Sequence, residues 1–366
     1  MRLQSRRSIF FRIAALALLA SLGGRPLSAD SSSWFSRSVE PPKQAPAPAA
    51  APAPPAKHAP SATQGTSVIE KTIPSTVPAT GDDAAYTAFD QGQYLTAMKL
   101  AEEAAQRGEP QASTLIGRIY SEGLGVQKDD KKAYEWYAKA AQLGDVQGTF
   151  ALGLLLAEGR GVAKDRKAAA DMFEKAALTG HAEANYNLGL LFLKGDGKPK
   201  NPIRAFQHIR YAAEKGIPQA QYDLAALYQF GTGVDANALE AARWLSRAAE
   251  QGLAVAQYDY AVRLLQGYGL KKDETKITTL MKAAAEKGIS GAQNRMAYIY
   301  REGIETDKDP VEAAKWRLIA KKNGFKDATL DEMVAKMPKA QRQKAETEAS
   351  AWADRIQVDP ALNNAR

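Results

Sequence analysis

The sequence predicts an all-α solenoid, a stack of antiparallel helix pairs that follows a disordered N-terminal segment. Three observations predict it. Glycine returns every 36 residues in two columns: Gly123, Gly159, Gly195, Gly231, Gly267, Gly303 and Gly144, Gly180, Gly216, Gly252, Gly288, Gly324. A small-residue column (Ala140, Ala176, Ala212, Ala248, Ala284, Ala320) and a polar column (Asp129, Asp165, Asn201, Asn237, Asp273, Asp309) keep the same phase. Each period also holds two stretches of helical spacing, and a period of this length marks stacked repeats. One helix pair cannot bury its own apolar face, so each unit must lean on its neighbours.

Residues 1–29 have the three parts of an export leader. Arg2, Arg6, Arg7 and Arg12 form a basic start, Ile13 to Leu22 an apolar run, and Leu27-Ser28-Ala29 a small-residue site with cleavage expected after Ala29. The run is about half a bilayer span, which argues against a permanent anchor. Ser5-Arg6-Arg7-Ser8-Ile9-Phe10 resembles a twin-arginine signal and also suits an ordinary basic start, so both export routes stay open. The expected destination is a bacterial periplasm. The net charge of +8 belongs mostly to this leader: without its five arginines, 44 basic residues face 41 acidic ones. A nucleic-acid partner is therefore not expected.

Residues 30–80 carry ten of the eighteen prolines, among them the tract PPKQAPAPAAAPAPPAKHAP at 41–60. Such a composition cannot offset its ordering entropy by burial, and a disordered linker is expected. Both a spacer role and a dispensable tail fit it. Residues 82–112 read as a shortened unit that keeps Ala97, Ala104, Ala105, Gly108 and Ala112 in phase but turns at Gly92-Gln93-Tyr94.

Six full units follow at 113–148, 149–184, 185–220, 221–256, 257–292 and 293–328. In the first of them, Ile116, Ile119 and Tyr120 share a face of a helix at about 111–122. Gly123 ends it, where a left-handed C-cap excludes a Cβ. Asp129 then caps a second helix at about 130–142, with proline at the first helical position in the third and sixth units (Pro202, Pro310). Ala133, Trp136, Ala140 and Ala141 are its packing positions. After the array, Thr329-Leu330-Asp331-Glu332 reads as a capping box. A last helix from about Pro338 aligns Ala345, Ala349, Trp352 and Ile356 as an end cap, so the solenoid runs over 81–357 with capping helices at 329–357 and a frayed tail at 358–366.

The pattern A-x-x-L-G-x-x-Y-x-x-G-x-G-V-x-x-D, then A-x-x-W and K-A-A-x-x-G, resembles the Sel1-like repeat, a relative of the tetratricopeptide repeat. The resemblance covers about 112–328. It implies a right-handed superhelix, first helices lining the concave side, and a protein partner. Three places depart from it: Gly195-Asp196-Gly197-Lys198 lacks the usual valine, Gly303-Ile304-Glu305 lacks the second glycine, and Arg263 replaces an apolar residue.

Catalysis is not expected. The three histidines (His58, His181, His208) share no repeat column, cysteine is absent, and no hydrolase, metalloprotease or phosphate-loop motif occurs. No cofactor and no metal follow from these residues. Binding is the stronger reading. On the first helices, the face opposite Ile116 and Ile119 carries an aromatic ladder of Phe150, Tyr186, Tyr222 and Tyr258. Leu154, Leu190, Leu193 and Tyr298 share that face, and Arg118 and Arg301 flank it. The stripe either grips an extended segment of a partner protein or packs between adjacent first helices. The functional expectation is a monomeric, exported scaffold that assembles or regulates an envelope complex. It is not an integral membrane protein. The alternative is a carbohydrate- or peptidoglycan-binding or hydrolysing protein, because concave aromatics also stack on sugars.

Overall fold

The computed structural model describes residues 81–267 and 273–355. The expected leader at 1–29, the linker at 30–80, Ile356 and the tail at 358–366 lie outside the described residues. Within them the chain is helical throughout, without a strand, in sixteen helices. α1 (Gly81–Asp90) and α2 (Tyr94–Gln106) form the leading hairpin. The six units are α3 (Pro110–Glu122) with α4 (Asp130–Gln142), α5 (Val146–Glu158) with α6 (Arg166–Leu178), α7 (Ala182–Lys194) with α8 (Pro202–Glu214), α9 (Pro218–Phe230) with α10 (Ala238–Glu250), α11 (Ala254–Gln266) with α12 (Glu274–Glu286), and α13 (Ser290–Glu302) with α14 (Pro310–Lys322). α15 (Ala328–Lys336) and α16 (Lys339–Arg355) close the stack, α16 lying on α14.

The helix boundaries follow from the repeating columns. Gly123, Gly159, Gly195, Gly231, Gly267 and Gly303 each end a first helix with φ between 65° and 76°. In that conformation a Cβ meets the following carbonyl oxygen, hence the glycine. The side chains of Asp129, Asp165, Asn201, Asn237, Asp273 and Asp309 each accept a backbone N–H two or three residues on, which holds the start of every second helix. The alanine column is at most 1% exposed from Ala140 to Ala320. Helices touch there with nothing larger between them.

The second loop glycine has a different task. A Cβ built on Gly161 would stand 2.1 Å from the Asp130 carbonyl oxygen, one on Gly197 2.1 Å from that of Arg166, and one on Gly233 2.0 Å from that of Pro202. Each loop therefore rests directly on the start of the preceding unit's second helix. The sixth unit lacks this glycine, and Glu305 takes the left-handed conformation itself (φ 53°), with its carboxylate accepting from Thr275 Oγ1 at 2.9 Å.

Two expectations about packing are corrected. Trp136 is only half-buried, and the side chain that enters the hairpin is its neighbour Tyr137, 6% exposed. The cap of α15 is Asp327, which accepts from Leu330 N at 3.0 Å, so the helix begins before the supposed capping box at Thr329. The end helix stands as expected over the described positions: Ala345, Ala349 and Trp352 are buried, and Trp352 meets Trp316 edge-on at 5.7 Å.

Candidate partner-binding face

The first helices rest on a fixed base. In three of the hairpins a large side chain of the second helix is seated on a glycine of the first. Tyr137 covers Gly117, Phe173 covers Gly153 and Ile209 covers Gly189, so closely that a Cβ on any of these glycines would come within 2.7 or 2.8 Å. The same two positions hold Leu245 and Ala225, Met281 and Ala261, then Arg317 and Ala297, all buried. Rigid packing of this kind fixes the direction of whatever the first helices display.

Of the predicted stripe, Phe150, Leu154, Leu190, Tyr222, Tyr258 and Tyr298 are half-buried and keep part of their surface open. Tyr186 is 0% exposed and Leu193 6%. These two are corrected: they belong to the core and are withdrawn from any partner-facing set. The reason is geometric, since a tyrosine at this position is long enough to reach the next unit's first helix. The Tyr186 hydroxyl donates to Asp223 Oδ2 at 2.7 Å, and Tyr222 repeats the bond to Asp259 Oδ2 at 2.7 Å. Thr114 donates to Asp145 at 2.6 Å, and Tyr298 donates to Asp327 at 3.0 Å. Hydroxyl–carboxylate bonds thus link neighbouring first helices along much of the array. The flanking arginines are engaged locally. Arg118 lies 4.6 Å over the Phe89 ring and pairs with Glu122 at 3.0 Å, and Arg301 lies 4.5 Å over the Tyr298 ring and pairs with Glu302.

Burial sets the electrostatics of this seam. Desolvation pushes the Asp223 carboxyl up to about 6, against the opposing pull of the Tyr186 hydrogen bond and of Lys194. The Tyr186 and Tyr222 hydroxyls are held well above the usual phenol range, first by burial and then by their aspartate partners.

Both described histidines have packing roles. His181 caps α7, accepting from Ala184 N at 3.2 Å, and stands 4.5 Å from the Phe150 ring. His208 stacks on Phe192 and bonds Asn185 at 2.9 Å, and burial lowers the affinity of both rings for a proton. His58 lies outside the described residues. Among the described residues no group of three or more His, Cys, Asp or Glu side chains is arranged around a metal position, and no helix is long and apolar enough to cross a membrane.

Sequence reasoning missed two features. The aspartates that receive the tyrosines follow the tyrosine column by one position, a unit later, and that offset was readable as Tyr186/Asp223 and Tyr222/Asp259. Arg317 occupies the column otherwise held by Tyr, Phe, Ile, Leu and Met, and it is 1% exposed. It donates to Asp331, to Asn294 and to the Phe325 carbonyl oxygen at 2.9 to 3.1 Å, tying α13, α14 and α15 together.

With the hairpins and their caps in place, the comparison with known families is decisive. The sequence profile of the Sel1 repeat matches six consecutive segments, 110–145, 146–181, 182–217, 218–253, 254–289 and 290–325. The chain belongs to the Sel1 repeat family. The profile frame opens at Pro110, where α3 begins, while the frame taken from the sequence opens at 113. A crystal structure of a Sel1 repeat protein from Oxalobacter formigenes is similar at 31% identity and a TM-score of 0.57, over 65% of this chain and 98% of that one. A protective antigen of uropathogenic Escherichia coli with the same Sel1-like fold is similar at 28% identity and a TM-score of 0.51, over 75% of this chain and 68% of its own. No curated protein matches. Sel1 repeat proteins generally mediate protein–protein interactions, and their scaffold is typically non-catalytic.

Proposed function

We propose that this Sel1 repeat protein is an exported, periplasmic scaffold, monomeric, that holds an extended segment of another protein along the inner stripe of its first helices and so assembles or regulates an envelope complex. The observation that carries the reading is the stripe itself. Phe150, Leu154, Leu190, Tyr222, Tyr258 and Tyr298 stand part-exposed in phase, on helices locked by their hairpin partners. Regularly spaced apolar side chains on rigid supports suit the alternate side chains of an extended peptide. First helices also approach one another directly, α1 with α3 and α3 with α5, which supports placing them on the inside of the curve. The three-part leader supports export. The carbohydrate alternative is less favoured because Leu154, Leu190 and Val262 stand among the rings and the carboxylates beside Tyr222 and Tyr298 already accept from their hydroxyls, whereas sugar sites set free polar groups beside each ring.

A photo-activated crosslinker placed at Ala226 and at Val262, both half-buried on the stripe, tests this in intact cells against a control at Arg243, which is exposed on a second helix. Peptide adducts from Ala226 and Val262 with none from Arg243 are expected. Adducts confined to Arg243 refute the stripe, and glycan adducts transfer the reading to the carbohydrate alternative.

A further inference from the structure

A second surface runs along the loop edge, away from the stripe, and is independent of it. The close contacts of Gly161, Gly197 and Gly233 string this edge together, because each loop sits on the start of the preceding second helix. The second residues of the second helices recur every 36 positions along this edge, beginning with Leu95, Lys131, Lys167, Ile203 and Leu239. All five are exposed, and the apolar members strongly so: Leu95 65%, Ile203 62% and Leu239 51%. Between them the loops contribute Lys164 and Lys200, also exposed.

The charge on this edge is not balanced locally. Most of its acids are already committed, although Asp235, exposed in the loop of the fourth unit, enters no ion pair among the described residues. Asp129 and Asp165 cap helices, Asp130 is paired with Arg160, and Asp196 with Arg166. Among the described residues Lys131, Lys164, Lys167 and Lys200 enter no ion pair. At Lys194, on the same edge, burial and then the charge of Arg166 hold the ammonium pKa below its ordinary value, against the opposing pull of Asp196 and Asp223.

We infer that this edge docks on an anionic lipid surface, with Lys131, Lys164, Lys167 and Lys200 over the headgroups and Ile203 and Leu239 dipping into the interface. Lysines act as point charges without a fixed hydrogen-bonding fork, which suits a diffuse field of headgroups better than one placed carboxylate. Exposed branched apolar side chains among lysines are the composition of an interfacial contact. An acidic protein segment would explain the charges and leave Ile203 and Leu239 without a role.

The test is co-sedimentation of the full chain, as recovered from producing cells, with vesicles of phosphatidylethanolamine and phosphatidylglycerol. Vesicles of phosphatidylcholine alone and soluble polyglutamate serve as comparisons. Each lysine near an anionic surface is worth about fivefold in partition, so the change of all four to alanine is expected to reduce binding by more than about a hundredfold. Changing all four to arginine is expected to retain it. Ile203→Ser with Leu239→Ser reduces binding several-fold, while Leu178→Ser, 84% exposed but at the far end of its helix, leaves it unchanged. Circular dichroism confirms that each variant keeps its helices. Comparing variants in one background cancels any contribution from residues 1–80. Sedimentation of the four-alanine variant equal to that of the wild type overturns the inference. So does lysine-dependent capture of polyglutamate without capture of anionic vesicles, which assigns the edge to an acidic protein.

Discussion

Substituting alanine at Gly161 and, separately, at Gly144 distinguishes backbone strain from steric contact. Both residues are left-handed, with φ of 70° and 87°, so each alanine carries the same strain of about 1 kcal/mol. Their surroundings differ. Nothing lies within 4 Å of a Cβ at Gly144, whereas a Cβ at Gly161 would lie 2.1 Å from the Asp130 oxygen and 2.7 Å from the Lys131 nitrogen. Ordinary contact requires the loop to retreat by about 1 Å, and overfilling a packed seam typically costs about 1–3 kcal/mol. Gly144→Ala should thus cost about 1 kcal/mol and Gly161→Ala about 3. Thermal melts followed by circular dichroism should show Tm falling by a few degrees for the first and by roughly three times as much for the second. Equal losses would refute the claim that the second loop glycine exists for close approach between units. Undiminished stability of Gly161→Ala would remove the seam altogether.

The buried Asp223 predicts a pH dependence. Its carboxyl titrates near 6 when folded and at the ordinary 3.8 when unfolded, so the folded state binds the extra proton between those values. Stability contributed by this group therefore rises as pH falls through 6, is complete below about 4, and is lost as pH climbs again, by up to about 3 kcal/mol. Asp223→Asn should flatten that part of the melting profile, and an unchanged slope counts against it. Arg317→Ala should loosen α15 by about 1–3 kcal/mol by leaving the buried Asn294 and the part-exposed Asp331 unpaired, while Arg317→Met restores the apolar column and costs less. Amide exchange across 328–355 reads the difference, and equal protection in the two variants contradicts the account. Valine at Gly195 should lower Tm by several degrees, because a β-branched residue at a φ of 72° is strongly disfavoured. N-terminal sequencing of the exported chain should begin at Asp30; an intact Met1 in the periplasmic fraction contradicts the leader reading.

The fold was legible because its punctuation is local. A C-cap glycine, an N-cap aspartate and a proline at the first helical position each state their geometry within a few residues, and six copies in phase remove ambiguity. What one column faces in the next unit is not local, and there the reading weakened. The helical face of Tyr186 opposes Ile116, which fits either a surface rung or packing between first helices; it packs, and Asp223 accepts its hydroxyl 37 residues on. Trp136 and Tyr137 were separable only by knowing which of them finds a glycine opposite. The capping box at Thr329 failed because Asp327, a stronger cap, comes two residues earlier. The other positions on that face are half-buried, since burial of Tyr186 and Leu193 in the core does not close them.

The matching of large side chain to hollow within these hairpins has an evolutionary corollary. Tyrosine, phenylalanine and isoleucine occur opposite glycine, and leucine, methionine and arginine opposite alanine, so the two columns vary as a pair. Duplication or recombination that cuts at a hairpin turn would set a ring against an alanine methyl or a thin side chain over an empty hollow. Breakpoints tolerated in this lineage should therefore fall between hairpins, and the heritable module is the pair of helices rather than either one.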